Sequence, residues 1–295
     1  MEYIINEKQD KIILREFLKK ELCLSSRLIK SLKKYEKSIL VNGEHAIVTR
    51  ILNSGDVVTL DFNDKEDDVN EYLVKTNLPI DVIYEDENYT IVNKSADMPT
   101  HQSLKHYDDT LANALAYRYK DRPYVFRAIN RLDKDTSGVV VTANNRFYAD
   151  ILCEKLQNGE FHKQYIAIVE GKTPISGEID APIARVQKSI ITRAVLPEGA
   201  PSITRFETLL SCEKISVLLV TPITGRTHQI RVHMAHIGHP IIGDDLYGKP
   251  SDFISRQALH AYRLKIDEIG EFEAKLPEDM KILIRRYFNN DEYFS

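Results

Sequence analysis

The chain has 295 residues, 40 of them basic and 44 acidic, giving a formal net charge of −4, with 43% apolar and 28% charged side chains. That balance excludes a largely disordered chain and collagen-like or coiled-coil architectures, and the length suits two domains with at least one sizeable core. No apolar run approaches the roughly 20 residues of a membrane helix; the longest are Gly138-Val139-Val140-Val141 and Val217-Leu218-Leu219-Val220. Met1 to Lys11 is charged and lacks an apolar core, so no secretory signal is expected. Cys23, Cys153 and Cys212 have neither disulfide nor metal-ligand spacing, which favours a reducing compartment and hence the cytoplasm.

Charge is segregated along the chain. Met1 to Arg50 carries 11 basic and 7 acidic residues, net +4, whereas Asp61 to Tyr72 carries six acids and one lysine, net −5. The acidic stretch reads as a linker over 63–76, separating a small module (1–62) from a main domain (77–295).

Leu14, Phe17 and Leu18, at i, i+3 and i+4, predict a short helix. Ser25 or Ser26 can cap a second helix whose buried side is Leu28, Ile29 and Leu32, while Arg27, Lys30, Lys33, Lys34 and Lys37 project largely from one face. Asn42-Gly43 between Ile39–Val41 and Glu44–Ala46 is a hairpin signal, and Val57 to Leu60 reads as a strand. Two small helices and a few strands with a basic face suit a grip on phosphate backbones; the charges alone fit a solvated helix face equally well. The run Leu14 to Leu60 resembles the RNA-binding module first described in small-subunit ribosomal protein four. That resemblance implies a small α+β domain whose Arg27, Lys30, Lys33, Lys34 and Lys37 contact RNA.

Beyond residue 77 short strands alternate with helices. Val82-Ile83-Tyr84 and Tyr89 to Val92 bracket an acidic turn, Leu111 and Leu115 mark a helix, and Val125 to Ile129 reads as a strand. Gly138 opens the strand Val139 to Thr142, and Phe147, Ile151 and Leu156 mark a helix ended by Asn158-Gly159. Lys163 to Val169 and Ile215 to Thr221 read as strands, so a mixed α+β sheet is the predicted core. There is no internal repeat and no dinucleotide-binding or P-loop glycine pattern.

Two segments concentrate reactive side chains. Asn130 to Gly138 (NRLDKDTSG) packs charge, hydroxyls and glycine between two apolar strand candidates, where loops tend to carry catalytic groups. Read as a plain turn, Thr136 and Ser137 would bond the backbone and Gly138 would take a positive φ. Asp133 and Asp135 also form a DxD pair of the kind that holds magnesium, but the lysine between them is a poor neighbour for a cation. In Thr224 to His239, Ile230, Met234 and Ile237 define a buried helix face, with His228 and Arg231 adjacent at a spacing of three. His228, His233, His236 and His239 invite a zinc or iron site, yet there is no His-Glu-x-x-His pattern and no cysteine partner, so no metal is expected.

Taken in order, LPIDVIYEDENYTIVNK, NRLDKDTSGVVVTANN, HKQYIAIVEG, TPITGRTHQIRVHMAHIGHPIIGDDLYG and RQALHAYRL resemble the pseudouridine synthases of the RluA/RluD type, which modify large-subunit ribosomal RNA. The resemblance implies a mixed, largely antiparallel central sheet with flanking helices and an isomerase that converts uridine to pseudouridine. The glycosidic bond breaks, the base turns over and a carbon rejoins the sugar, with no group gained and no change of oxidation state, so no cofactor is implied. Asp133 would supply the carboxylate near the anomeric centre, as nucleophile or as base for a ribose proton. Arg231 would pair with it bidentately and keep it ionised, and Tyr165 would stack on the uracil. Arg131 would fill the space left by the flipped uridine or hold the flipped phosphate, with Thr136, His228 and Gln229 contacting substrate. The implied partner is RNA, ribosomal or else transfer RNA, acted on by a monomer with no membrane association. The competing readings are a non-catalytic RNA-binding ribosome-assembly factor and a metal-dependent nuclease. The chain departs from the family pattern at Asn130, where a histidine is usual, and at Lys94-Ser95-Ala96-Asp97 in place of Lys-Pro-Ala-Gly.

Overall fold

A computed structural model describes residues 1–186 and 191–288. At the N-terminus β1 (Glu2–Ile4), β2 (Ile39–Val41), β3 (Glu44–His45) and β4 (Val57–Leu60) form an antiparallel sheet in the order β1-β4-β2-β3. Asn42 and Gly43 take φ of 55° and 79°, the left-handed pair that a two-residue hairpin turn demands. α1 (Leu14–Glu16) widens into a π-helical turn (Phe17–Glu21), and α2 (Ser26–Leu32) follows. Ser25 caps α2, its hydroxyl accepting from Leu28 N at 3.1 Å. Leu14, Phe17, Leu18, Leu28, Ile29 and Leu32 bury against Ile39, Val41, Val58 and Leu60 in a core of their own.

The acidic segment, which its composition marks as a linker, is tied to the domain that follows it. The Asp64 carboxylate is 1% exposed and pairs with Arg127 at 2.5 Å, and Asp68 pairs with Arg146 and accepts from the Tyr35 hydroxyl at 2.9 Å. Both arginines belong to the main domain. Ser25 adds bonds from its amide and hydroxyl to Asp150, at 2.9 and 2.6 Å, and Phe62 packs on Phe147 with ring centroids 4.6 Å apart. The acids are strapped down because their cationic partners lie 63 and 78 residues away in sequence, where no local pattern could reveal them.

The main sheet has nine strands. β5 (Asp81–Glu85), β6 (Tyr89–Lys94), β7 (Ser137–Ala143) and β8 (Phe161–Glu170) are followed by β9 (Ser176–Asp180). β10 (Ile183–Arg185) and β11 (Arg193–Val195) pair apart from the main sheet. β12 (Ile203–Ser211), β13 (Ile215–Pro222), β14 (Leu259–Ile266) and β15 (Gly270–Glu273) complete it, in the order β5-β6-β7-β14-β8-β13-β12-β9 with β15 on β14. Only the β7–β14 pair of this sheet is parallel. Helices α3 (Leu111–Arg118), α4 (Arg146–Gln157), α5 (Gln229–His236) and α6 (Glu278–Phe288) flank it. The mixed, largely antiparallel sheet with flanking helices is the architecture the sequence implies.

All seven residues of β7 are buried, which makes it a central strand and a firm base for the loop that precedes it. Val125 to Ile129 is not a strand: beside β7 it forms one isolated bridge, Ala128 to Thr142. Pairing fails beyond it because the Asn130 side chain takes over, Nδ2 donating to Val139 O at 3.0 Å and Oδ1 accepting from Val141 N at 2.8 Å. This is the role a small amide fills where the family pattern has histidine. Among the described residues no helix is long and apolar enough to cross a membrane.

Candidate active site

The loop carrying Asp133 is fixed through its backbone. Four successive carbonyls, Leu132 to Asp135, accept bonds from Thr100 Oγ1, Thr136 N, Lys94 Nζ and Arg256 Nη1 at 3.2, 3.1, 3.0 and 3.1 Å. Lys94 is 1% exposed and also donates to the carbonyls of Ser95 and Met98 at 2.8 and 2.7 Å. Burial pushes its ammonium down to about 7, against the pull of Asp135 and Asp133. Asp97, standing where the family pattern has glycine, keeps that turn by adopting φ 59°, and its carboxylate meets Lys134 at 2.8 Å. Gly138 takes φ 118°, and a Cβ there would stand 2.2 Å from Ala261 O, so only glycine lets β14 close on β7 beneath the loop.

Opposite this loop α5 begins at His228, whose φ of 58° turns the chain sharply out of the preceding segment. One turn later Arg231 points back. Its Nη1 donates to Asp133 Oδ2 at 3.1 Å, while Nε and Nη2 donate to the two oxygens of Asp244 at 2.7 and 2.8 Å. The expected bidentate contact therefore goes to Asp244, and Asp133 receives a single bond. Asp244 is 0% exposed and also accepts the amides of Leu246 and Tyr247, so it is the anchor and Asp133 the open end. Burial alone would pull the Arg231 pKa down; Asp244 and Asp133 outweigh it and hold the guanidinium protonated. Tyr247 lies against Arg231 (5.2 Å from guanidinium carbon to ring centroid) and its hydroxyl sits 2.8 Å from His228 Nδ1. His228 Nε2 is 3.8 Å from Asp133, and burial lowers its pKa, favouring a neutral ring.

Both elements face one cleft of about 730 Å³, lined among others by Arg131, Asp133, Lys163, Tyr165, His228 and Arg231. Tyr165 reaches it from β8, and burial together with the Asp133 charge raises its pKa, so its hydroxyl stays protonated. Arg131 is exposed at the rim.

Two residues expected to touch substrate line the cleft with polar atoms already bonded within the protein. Thr136 is 2% exposed and its hydroxyl accepts from Gln257 Nε2 at 3.0 Å. Gln229 is 4% exposed and its amide is saturated, donating to Ile203 O and Thr204 Oγ1 and accepting from Thr224 Oγ1 and Arg226 N. Both line the cleft, and these polar atoms are held by protein partners, as buried polar groups usually are. His233 is likewise a core residue, its ring nitrogens 2.8 and 2.9 Å from Thr204 Oγ1 and Ala181 O. Among the described residues no group of three or more His, Cys, Asp or Glu converges on a metal position. Arg27, Lys30, Lys33, Lys34 and Lys37 are all exposed on the N-terminal module. Asp244 and Lys94 were missed as site residues; each lies in a quoted motif, but their partners are visible only in three dimensions.

One cleft in the mixed sheet thus brings an aspartate, an arginine and a strand tyrosine together. Residues 88–236, which include all three, match the family described as RNA pseudouridylate synthase. The chain is 38% identical over 299 aligned positions to the uncharacterized RNA pseudouridine synthase YhcT of Bacillus subtilis (strain 168), covering 98% of both chains. It is 39% identical over 229 residues to the ribosomal large subunit pseudouridine synthase D of Escherichia coli (strain K12), covering 70% of each. The solved structure of human RNA pseudouridylate synthase domain containing 1 superposes with a TM-score of 0.56 at 29% identity, covering 68% of this chain and 83% of that one. The chain belongs to the RNA pseudouridylate synthase family and isomerises uridine in RNA to pseudouridine.

Proposed function

We propose that Asp133 performs the isomerisation and that the substrate is large-subunit ribosomal RNA, modified in the cytoplasm by a monomer. The observation that carries the catalytic assignment is the one-sided hold on Asp133: Arg231 binds Oδ2, and the carboxylate lies in the same cleft as Tyr165. A carboxylate so placed can attack the anomeric carbon or take a ribose proton, and in either case the uracil is released into a pocket whose protonated tyrosine can stack on it. Arg231 fixes the direction of the carboxylate, and exposed Arg131 occupies the space from which the uridine is drawn. The ribosomal target rests on relatives whose names specify the large ribosomal subunit. The module 1–62, with its exposed lysine face, holds the surrounding RNA.

The test is a map of pseudouridines in total RNA from cells lacking the gene, complemented with the wild-type chain or with Asp133→Asn. Sites in large-subunit ribosomal RNA should vanish on deletion and return only with the wild type. Loss confined to transfer RNA would replace the target, and rescue by Asp133→Asn would remove Asp133 from the mechanism.

A further inference from the structure

Lys163 stands two residues before Tyr165 on β8, so both side chains leave the same face of the strand and both line the cleft. Of the other sheltered lysines, Lys65, Lys94, Lys134 and Lys155 each reach a carboxylate or a carbonyl, and Lys281, which does not, lies on α6 away from the cleft lining. Lys163 is half-buried and, among the described residues, has neither an ion pair nor a hydrogen bond for its ammonium. Across from it is bare backbone: a Cβ added to Gly225 would lie 3.6 Å from Lys163 Nζ. Burial lowers its pKa with no carboxylate to counter the effect. A cation held partly out of water without an anion carries a desolvation cost that a bound anion would relieve.

The cleft's other charges limit what that anion is. Arg231 is committed to Asp133 and Asp244, and Lys134 to Asp97, while Arg131 and Arg226 line the cleft as exposed, solvated cations. RNA brings phosphates as its only anionic groups. The strand rise separates Lys163 from Tyr165 by roughly 7 Å, on the scale of one nucleotide step. We propose that Lys163 binds a backbone phosphate flanking the target uridine while the base lies on Tyr165, making it a positioning residue for the flipped nucleotide. This rests on Asp133 and Tyr165 forming the reaction centre.

The experiment uses the full chain and a short RNA with one target uridine, made with its normal backbone or with a neutral methylphosphonate on the 5′ or the 3′ side of that uridine. Lys163→Met should raise KM about tenfold, the scale of one charge-assisted bond, with kcat within about twofold and the thermal midpoint near wild type. Lys163→Arg should restore KM. One of the two methylphosphonates should cost the wild type a similar factor and cost Lys163→Met nothing further, the coupling expected of direct partners. Equal methylphosphonate penalties in both proteins, or an unchanged KM in Lys163→Met, would overturn the proposal. Inactivity of Asp133→Asn on the unmodified RNA in that same assay would leave the reaction centre standing even where the Lys163 proposal failed.

Discussion

Arg146 and Arg231 are both 7% exposed and both face two aspartates, one at the junction between the N-terminal module and the main domain, the other in the cleft. At the junction a second arginine, Arg127, takes Asp64, so two guanidiniums meet two carboxylates. Tyr35 and Ser31 use further valences there, the hydroxyl of Tyr35 donating to Asp68 and that of Ser31 accepting from Arg146 at 2.8 Å. In the cleft one guanidinium serves both acids. Asp244, fully buried, takes two of its bonds, and Asp133, 28% exposed, takes one. At the junction each carboxylate thus has an arginine of its own, whereas in the cleft a shared guanidinium leaves Asp133 the more exposed and less tightly held of its two acids.

The comparison breaks most sharply at the open end. Asp133→Asn, nearly isosteric, should lower single-turnover rates on uridine-containing RNA by roughly a thousandfold or more while leaving the thermal midpoint close to wild type. At the anchored end, Asp244→Asn leaves Arg231 free to swing. Misplacing a catalytic group by about an ångström costs on the order of a hundredfold, so kcat should fall by about 10- to 100-fold with KM less affected. Denaturant unfolding should show a stability loss of roughly 3 kcal/mol from the broken buried pair. An Asp244→Asn enzyme with wild-type kcat would mean that Asp133 is oriented without its anchor. At the junction, Arg146→Met leaves Asp68 with only the Tyr35 hydroxyl and the Lys65 amide and should cost up to roughly 3 kcal/mol, yet kcat on a short saturating RNA should stay within about twofold. A fall in kcat there would show that the junction is coupled to the chemistry.

This contrast also marks what was legible beforehand. The Asp133 loop, the amphipathic α5 and the Asn42-Gly43 hairpin stand out because glycine, hydroxyls and apolar spacing act over a few residues. The double role of Arg231 does not, since its partner at position 133 is 98 residues away and Asp244 is reached only after the chain leaves α5. Asp64 and Asp68 read only as part of a linker for the same reason. Gln229 and Thr136 sit beside the chemistry in sequence, but burial commits their polar atoms to Thr204, Thr224 and Gln257 before any substrate arrives. The place of β14 beside β7 is not legible because the two meet across 123 residues, as the Ser137 to His260 contact of 2.9 Å shows.

The smallest expected effect belongs to the module, where charge is neither matched nor buried. Lys30, Lys33, Lys34 and Lys37 are exposed and, among the described residues, form no ion pair, so each is free to replace one counterion on an RNA phosphate. One such contact changes the slope of log affinity against log salt by about 0.7 on single strands or 0.9 on a duplex. Between 50 and 200 mM salt that amounts to only about a threefold change in affinity, so Lys33→Gln alone should be barely measurable. Replacing all four lysines by glutamine should flatten the slope by about 3, with kcat at saturating RNA unchanged. An unaltered slope in the fourfold variant would make this face a solvated helix surface, and RNA would then be held by the cleft alone.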